Sequence, residues 1–232
     1  MSDVLHKEIN FDLDKSNMQG AIMAFPDHIV ESFEIMKNWS PSREYVGIEK
    51  IMILGMGGSA IGGDVARMIA QNHCSVPIIV NRSYTIPQWV DSKTLILASS
   101  YSGSTEETLS AFSLCQERNC SIIVFSTGGT LTKNAKAMKL DRVSIPKGYQ
   151  PRAALGYSLT LIILVLEHLG FIPNIVADNM KKSITPLKNL CSELNKPKNS
   201  ALSIAEEIYS TCPIIYGSED MTWVVALRFR GQ

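Results

Sequence analysis

The sequence predicts an α/β fold, a doubly wound layer built on a five-stranded parallel sheet. Five short apolar runs carry this prediction, separated by glycine- and serine-rich turns and by stretches of helical periodicity. The runs are apolar on both faces, as strands of a parallel sheet must be when helices cover both sides. They lie at residues 51–54, 76–80, 94–98, 121–125 and 142–145. Strands that alternate with helices in this way favour a flavodoxin-like arrangement.

Apolar spacing predicts helices before and between these strands. Residues 20–38 form a leading helix that is interrupted at Pro26, with Asp27 placed to cap the part that follows. The helices that connect the strands are expected at residues 60–71, 105–118 and 131–138. We therefore divide this part of the chain into an N-terminal helical segment, 1–40, and a sheet domain, 41–152.

The chain after the fifth strand predicts a change of organisation. A Pro/Gly loop at 146–151 leads into a very apolar helix at 153–169 and a second helix at 176–194, which together form a helical connection over 153–195. Beyond a linker, the pattern predicts helix, short strand and helix at 203–210, 213–216 and 221–229. A single βα unit cannot bury both faces of its strand, so residues 201–232 are expected to be the incomplete start of a second α/β domain.

Composition excludes several classes of partner. Lys and Arg number 22, Asp and Glu also number 22, and no basic block is present, which argues against nucleic acid and anionic membranes. The polar, acidic N-terminus is unlike a signal peptide. The most apolar stretch, 159–166, is far below the ~18 to 20 residues of a membrane span. Five scattered cysteines without C-x-x-C spacing indicate reduced thiols and no metal site. We expect a cytoplasmic protein that binds a small molecule or another subunit.

The first strand runs into a glycine-rich turn, GMGGSAIGGD at residues 55–64. Glycines allow a ligand to approach the backbone closely, and the N–H groups of the helix that follows favour anions. Gly57, Gly58 and Ser59 are therefore candidate ligand-binding residues. The alternative is that the glycines only make a tight turn and allow close packing of helix on sheet.

The same turn matches a dinucleotide-binding fingerprint through Gly55, Gly57 and Ala60. That interpretation needs an acidic residue for the ribose near the end of the second strand, where this chain has Val80-Asn81-Arg82. Arg82 could face the 2′-phosphate of NADP instead, so an NADP-dependent oxidoreductase stays open as a minority hypothesis.

The third strand ends in a loop crowded with hydroxyl groups. Five of the seven residues at 99–105 are Ser or Thr, and they precede a predicted helix. Hydroxyls and free backbone N–H groups at a helix N-terminus bind phosphate without Lys or Arg. The alternative is a capping box made by Ser104 or Thr105 with Glu107, but a cap needs one hydroxyl. In a flavodoxin-like sheet the first and third strands flank the switch point, so both loops should face one crevice.

Together these segments resemble the SIS (sugar isomerase) domain family, and more narrowly the bifunctional phosphoglucose/phosphomannose isomerases. The resemblance rests on residues 55–64, SYSGSTEET at 100–108, PRAALGYS at 151–158 and IIYGSEDMTWVVALRFRGQ at 214–232. It implies that Gly57, Gly58 and Ser59 contact the sugar, that Ser100, Ser102 and Thr105 hold the phosphate, and that Arg152 lies beside the reacting carbons. It also implies a homodimer that interconverts glucose 6-phosphate or mannose 6-phosphate with fructose 6-phosphate without a cofactor.

Chemistry supports the role given to Arg152. Aldose–ketose isomerisation passes through an enediolate, and a guanidinium that stays protonated stabilises the developing negative oxygen. The chain departs from the family after Gln232, where the resemblance places a Glu base and a ring-opening His. We therefore expect the 232 residues alone to bind phosphosugar but to be essentially inactive. A regulatory phosphosugar-binding module without catalysis is the second hypothesis.

Overall fold

The computed structural model describes residues 14–219 and 221–231 of the chain. Its strands are β1 (Lys50–Leu54), β2 (Ile78–Asn81), β3 (Thr94–Ser99), β4 (Ser121–Ser126) and β5 (Asp141–Ser144). They form one sheet of order β2-β1-β3-β4-β5 in which every pair is parallel. The α/β class, the parallel sheet and the flavodoxin-like order are confirmed, and each predicted strand boundary lies within two residues of the observed one.

The helices cover both faces of this sheet. They are α1 (Met18–Met23), α2 (Phe25–Lys37), α3 (Gly57–Ala70), α4 (Glu106–Glu117), α5 (Gly129–Ala137), α6 (Leu155–His168), α7 (Ile175–Leu194), α8 (Ser200–Ile208) and α9 (Thr222–Arg230). Alternate strand residues point to opposite faces. Ile51 and Ile53 pack in the core with α3 and α6, whereas Met52 and Leu54 pack in the core with α4 and α5. None of the described helices is both long enough and apolar enough to cross a membrane.

The apolar helix α6 lies inside the molecule. Every residue from Gly156 to Leu166 is buried, because α2, α3 and α7 all pack against this helix. Close packing on α3 depends on Gly62, where a Cβ atom would lie 2.2 Å from the hydroxyl oxygen of Ser158. The chain itself therefore covers the apolar surface of the helix predicted at residues 153–169.

The leading helix is divided in two. α1 ends at Met23 and α2 begins at Phe25, with Pro26 at the second position of α2, where its missing N–H costs no helical hydrogen bond. The prediction that Asp27 caps α2 is wrong. Asp27 lies in the first turn of α2 and forms an ion pair with Lys188 at 2.8 Å. Residues 1–13 of the predicted segment 1–40 lie outside the described residues.

The predicted strand at 213–216 is not observed. No strand of residues 14–219 or 221–231 lies beside this stretch, and Ile214 and Tyr216 are 74% and 87% exposed. An extended segment becomes a strand only when a neighbour accepts and donates its backbone hydrogen bonds. The helix that follows this stretch, α9, packs on α3. Val224 of α9 is fully buried, and the guanidinium carbon of Arg67 in α3 lies 5.0 Å from the centroid of the Trp223 ring in α9. The domain division at 153 and 201 stays a prediction, and Asp220 and Gln232 lie outside the described residues.

Candidate functional site

The turn after β1 brings the N-terminus of α3 to the carboxyl edge of the sheet. Met56, in the N-cap position, makes no side-chain capping bond, and Gly57 has a φ of 49°. A Cβ atom on Gly55 would lie 3.1 Å from the carbonyl oxygen of Ser99, so β1 and β3 leave the sheet side by side. The first N–H groups of α3 are thus open to an acceptor at this edge.

The hydroxyl-rich loop after β3 places its three predicted phosphate ligands at different depths. The Ser100 hydroxyl is buried and lies 2.9 Å from the Thr105 hydroxyl, and it accepts a hydrogen bond from the N–H of Gly103 at 3.1 Å. Thr105 is half-buried. Ser102 is exposed, and its hydroxyl oxygen accepts from the N–H of Ser104 at 3.2 Å. The structure therefore joins Ser100 and Thr105 directly and holds Ser102 at the rim.

The alternative of an ordinary helix cap does not describe this loop. Thr105 occupies the N-cap position of α4 but makes no capping hydrogen bond, and Glu107 sits at the second helical position, one short of the position that closes a capping box. Glu106 accepts a hydrogen bond from the Tyr84 hydroxyl at 3.2 Å. Among the described residues no side chain caps the first turn of α4, so its N–H groups remain available to an anion.

The two loops are in contact. The backbone N–H of Tyr101 donates to the hydroxyl oxygen of Ser59 at 3.3 Å, although 42 residues separate them. Ser59 is buried at this junction. The two uncapped helix N-termini therefore begin beside each other at the switch point of the sheet, as the strand order predicts.

A third loop, between β5 and α6, completes the edge and carries Arg152. The Tyr101 hydroxyl donates to the carbonyl oxygen of Pro146 at 3.0 Å and accepts from the N–H of Tyr149 at 2.9 Å. A Cβ atom on Gly58 would lie 2.5 Å from the carbonyl oxygen of Pro151 and 3.2 Å from the Cα of Arg152. The Arg152 side chain is exposed, and its backbone lies directly against the start of α3.

Sequence reasoning missed the residues that support these loops. Tyr101 links all three, and its pKa is raised by burial. The turn before α5 packs tightly against the hydroxyl-rich loop, since a Cβ on Gly103 would lie only 1.9 Å from the carbonyl oxygen of Gly128. The glycine pair Gly128-Gly129 after the fourth strand was an available signal of such close approach. Arg228 lies in the segment 214–232 that carries the resemblance, but nothing in that segment indicates that its side chain reaches the same edge from α9.

Arg82 is paired with an acidic side chain of the same chain. Its guanidinium forms an ion pair with the carboxylate of Asp64, which is 1% exposed, and burial lowers the pKa of Arg82. The cation that the NADP hypothesis requires is thus engaged within the chain. In the part of the chain that the structure describes, no three His, Cys, Asp or Glu side chains are grouped to hold a metal ion.

Comparison with known proteins gives relatives over most of the chain. The chain is 41% identical over 216 residues to the bifunctional phosphoglucose/phosphomannose isomerase of Caldicellulosiruptor bescii, covering 91% of this chain and 63% of that protein. It is 36% identical over 186 residues to the protein of the same name from Thermoplasma volcanium, covering 79% and 55%. The chain thus spans less than two thirds of the length of these relatives. No family model matches it.

A solved structure shows the same fold at low sequence identity. The C-terminal domain of glucosamine-fructose-6-phosphate aminotransferase from Francisella tularensis superposes with a TM-score of 0.65 at 16% identity. The match covers 94% of this chain and 66% of that one. At this identity the likeness concerns the fold, with its sheet and surrounding helices.

Proposed function

The chain belongs to the same family as these bifunctional phosphoglucose/phosphomannose isomerases, and from that premise we propose that it binds a hexose 6-phosphate for aldose–ketose isomerisation. The reaction interconverts glucose 6-phosphate or mannose 6-phosphate with fructose 6-phosphate and uses no cofactor. The observation that carries the proposal is that two uncapped helix N-termini, those of α3 and α4, begin beside each other, with the hydroxyl-rich loop after β3 hydrogen-bonded to the start of α3.

In this proposal the phosphate occupies the loop after β3. Ser102 and Thr105 donate their hydroxyl protons to phosphate oxygens, while Ser100 lies beneath and fixes Thr105 through their 2.9 Å contact. The open N–H groups of the first turn of α4 add donors and the positive end of the helix dipole. The site thereby binds a dianion without a lysine or arginine in the loop.

The sugar then extends toward the start of α3 and Arg152. Gly57 and Gly58 present backbone N–H groups to sugar oxygens, and Ser59 lies at the junction of the two loops. Arg152, next to Gly58, stabilises the negative oxygen of the enediolate. Binding, orientation and charge stabilisation are the tasks assigned to this chain, and the resemblance places proton abstraction on a Glu that follows the segment matching Arg228 to Gln232.

Calorimetric titration with fructose 6-phosphate tests the proposal. The double variant Ser102→Ala/Thr105→Ala should lose ~1 to 3 kcal/mol of binding free energy, the scale of hydrogen bonds to a charged group. Ser113→Ala is the matched control, because Ser113 is an exposed serine on the same helix whose hydroxyl donates to the carbonyl of Leu109. Absence of binding by the unaltered chain, or equal affinity in the double variant, would refute the phosphate site.

We also propose that the chain forms a homodimer through apolar side chains on and near α9. The exposed ones are Tyr209, Ile214, Tyr216, Met221, Val225 and Phe229. Contiguous apolar patches of more than a few hundred Å² commonly mark association surfaces. Sedimentation velocity at micromolar concentration should find dimers, and Ile214→Asp/Tyr216→Asp should dissociate them. A monomer in the unaltered protein would contradict this proposal.

The location that we propose is the cytoplasm. All five cysteines are free thiols, as is usual in a reducing compartment. Fractionation of the source cells with an antibody to the chain tests this location, and recovery outside the cytoplasmic fraction would contradict it.

A further inference from the structure

Arg228 reaches from α9 to the backbone of Arg152. Its Nη2 donates a hydrogen bond to the carbonyl oxygen of Arg152 at 2.7 Å, across 76 residues of sequence. Arg228 is half-buried, and burial together with the positive charge of Arg152 lowers the pKa of Arg228. A hydrogen bond from a charged donor is roughly twice as strong as one between neutral groups, so this contact is well suited to fixing a loop.

α9 is itself firmly placed on α3. Val224 is fully buried, and the Trp223 ring lies against the Arg67 guanidinium of α3. The other side of the loop meets Gly58, at the beginning of the same helix. The Pro151–Arg152 backbone is therefore held between Gly58 and Arg228, and both contacts depend on α3.

The charges at this place favour an anion. Arg152 and Arg228 lie close enough for one cation to depress the pKa of the other, and within residues 14–219 and 221–231 neither forms an ion pair with a carboxylate. Bringing two guanidinium groups together costs free energy unless negative charge is supplied. A bound sugar phosphate and the enediolate derived from it are anions of the required kind.

We propose that Arg228 is a positioning residue that fixes the Arg152 loop so that the Arg152 side chain meets the bound sugar. The inference rests on the proposed function. Arg228 acts through the carbonyl of Arg152 and makes no contact with the reacting carbons. Loss of the Arg228 guanidinium should therefore weaken binding of the sugar part of the ligand. It should leave the phosphate loop after β3 unchanged.

A double-mutant cycle on fructose 6-phosphate affinity tests this role. Arg228→Ala should weaken binding about 10-fold, and Arg152→Ala should weaken it at least as much. Because one residue acts through the other, Arg152→Ala/Arg228→Ala should be no weaker than Arg152→Ala alone. Arg228→Lys, which keeps a charged donor, should restore affinity to within about threefold of the unaltered chain. Arg230→Ala is the matched control, since Arg230 is an exposed arginine on the same helix.

A second readout separates positioning from general loss of structure. Inorganic phosphate should compete with fructose 6-phosphate in Arg228→Ala with the same inhibition constant as in the unaltered chain, because the phosphate loop is unchanged. Additive effects of the two arginine substitutions, or unchanged affinity in Arg228→Ala, would overturn the inference while the proposed function stands. If Arg228→Ala does not fold, the cycle is run with Arg228→Met, which removes the guanidinium but keeps a long side chain, and the same two outcomes decide. Failure of the unaltered chain to bind fructose 6-phosphate would refute the proposed function itself.

Discussion

The hydroxyl oxygen of Ser59 accepts a hydrogen bond from the backbone N–H of Tyr101 at 3.3 Å. This bond joins the turn after β1 to the loop after β3 at the point where their helices depart to opposite faces of the sheet. The two loops at the switch point are thus joined by a side-chain hydrogen bond as well as by the sheet. Tyr101 extends the connection to the Arg152 loop through its own hydroxyl.

Ser59→Ala should lower stability by about 1 kcal/mol, because it leaves the N–H of Tyr101 without its acceptor. It should also weaken fructose 6-phosphate binding, since the two loops proposed to bind the ligand are no longer joined by this bond. Urea unfolding and calorimetry measure the two effects. Ser203→Ala, at an exposed serine on α8, is the control and should change neither quantity. An unaltered unfolding free energy in Ser59→Ala would show that the bond contributes nothing.

Gly103→Ala should destabilise the protein by more than about 2 kcal/mol, because its Cβ would lie 1.9 Å from the carbonyl oxygen of Gly128. Gly47→Ala provides a matched comparison. The two glycines have φ values of 69° and 70°, but a Cβ at Gly47 would meet no atom within 4 Å. Gly47→Ala should therefore cost only the ~1 kcal/mol of a left-handed backbone. Equal unfolding free energies in the two variants would contradict the steric argument.

The stability of the protein should fall as pH drops below about 6.5, in part because of His28. The His28 ring is 1% exposed and packs against the rings of Tyr149 and Tyr157, with centroid distances of 4.6 and 4.3 Å. Burial lowers the pKa of His28, and the nearby carboxylates Asp27 and Glu31 oppose that shift. Because the unfolded chain then binds more protons than the folded one, the unfolding free energy decreases from pH 6.5 toward the folded pKa.

Urea unfolding at pH 7.5, 6.5 and 5.5 checks this dependence in the unaltered chain and in His28→Gln. The variant should lose part of the decline, which for one group is at most about 1.4 kcal/mol per pH unit. Parallel pH profiles for the two proteins would rule out His28 as the cause.

The five cysteines should react with a thiol reagent in the order of their exposure. Cys212 is exposed, whereas Cys115, which belongs to α4, and Cys120, which follows that helix, are buried in the core. A hydrogen bond to Cys120 and burial both raise the pKa of Cys115, which lowers its reactivity further. Peptide mapping after brief labelling should find Cys212 modified and Cys115 unmodified, and Cys212→Ser should remove the fast phase. Labelling of Cys115 in the folded protein at the rate of Cys212 would contradict the described core.

Much of the fold could be predicted because the relevant signals are local. Runs that are apolar on both faces, such as 94–98 and 121–125, specify strands of a covered parallel sheet wherever they occur. The hydroxyls at 99–105 lie together in sequence, so their clustering at a helix N-terminus needed no knowledge of distant contacts. The prediction at 213–216 was wrong because apolar, β-branched composition does not supply the neighbouring strand that a sheet requires.

By itself, then, the sequence determined the sheet, its order and the two loops to which we assign the ligand. The tertiary structure decided which partner each polar side chain received: Asp64 engages Arg82, Tyr101 ties three loops, and Arg228 reaches Arg152. It also decided that the apolar helix α6 is covered by its own chain. The physical reason is that periodicity records only how deeply a residue is buried. The partner of a buried or half-buried group depends on which distant segments pack against each other.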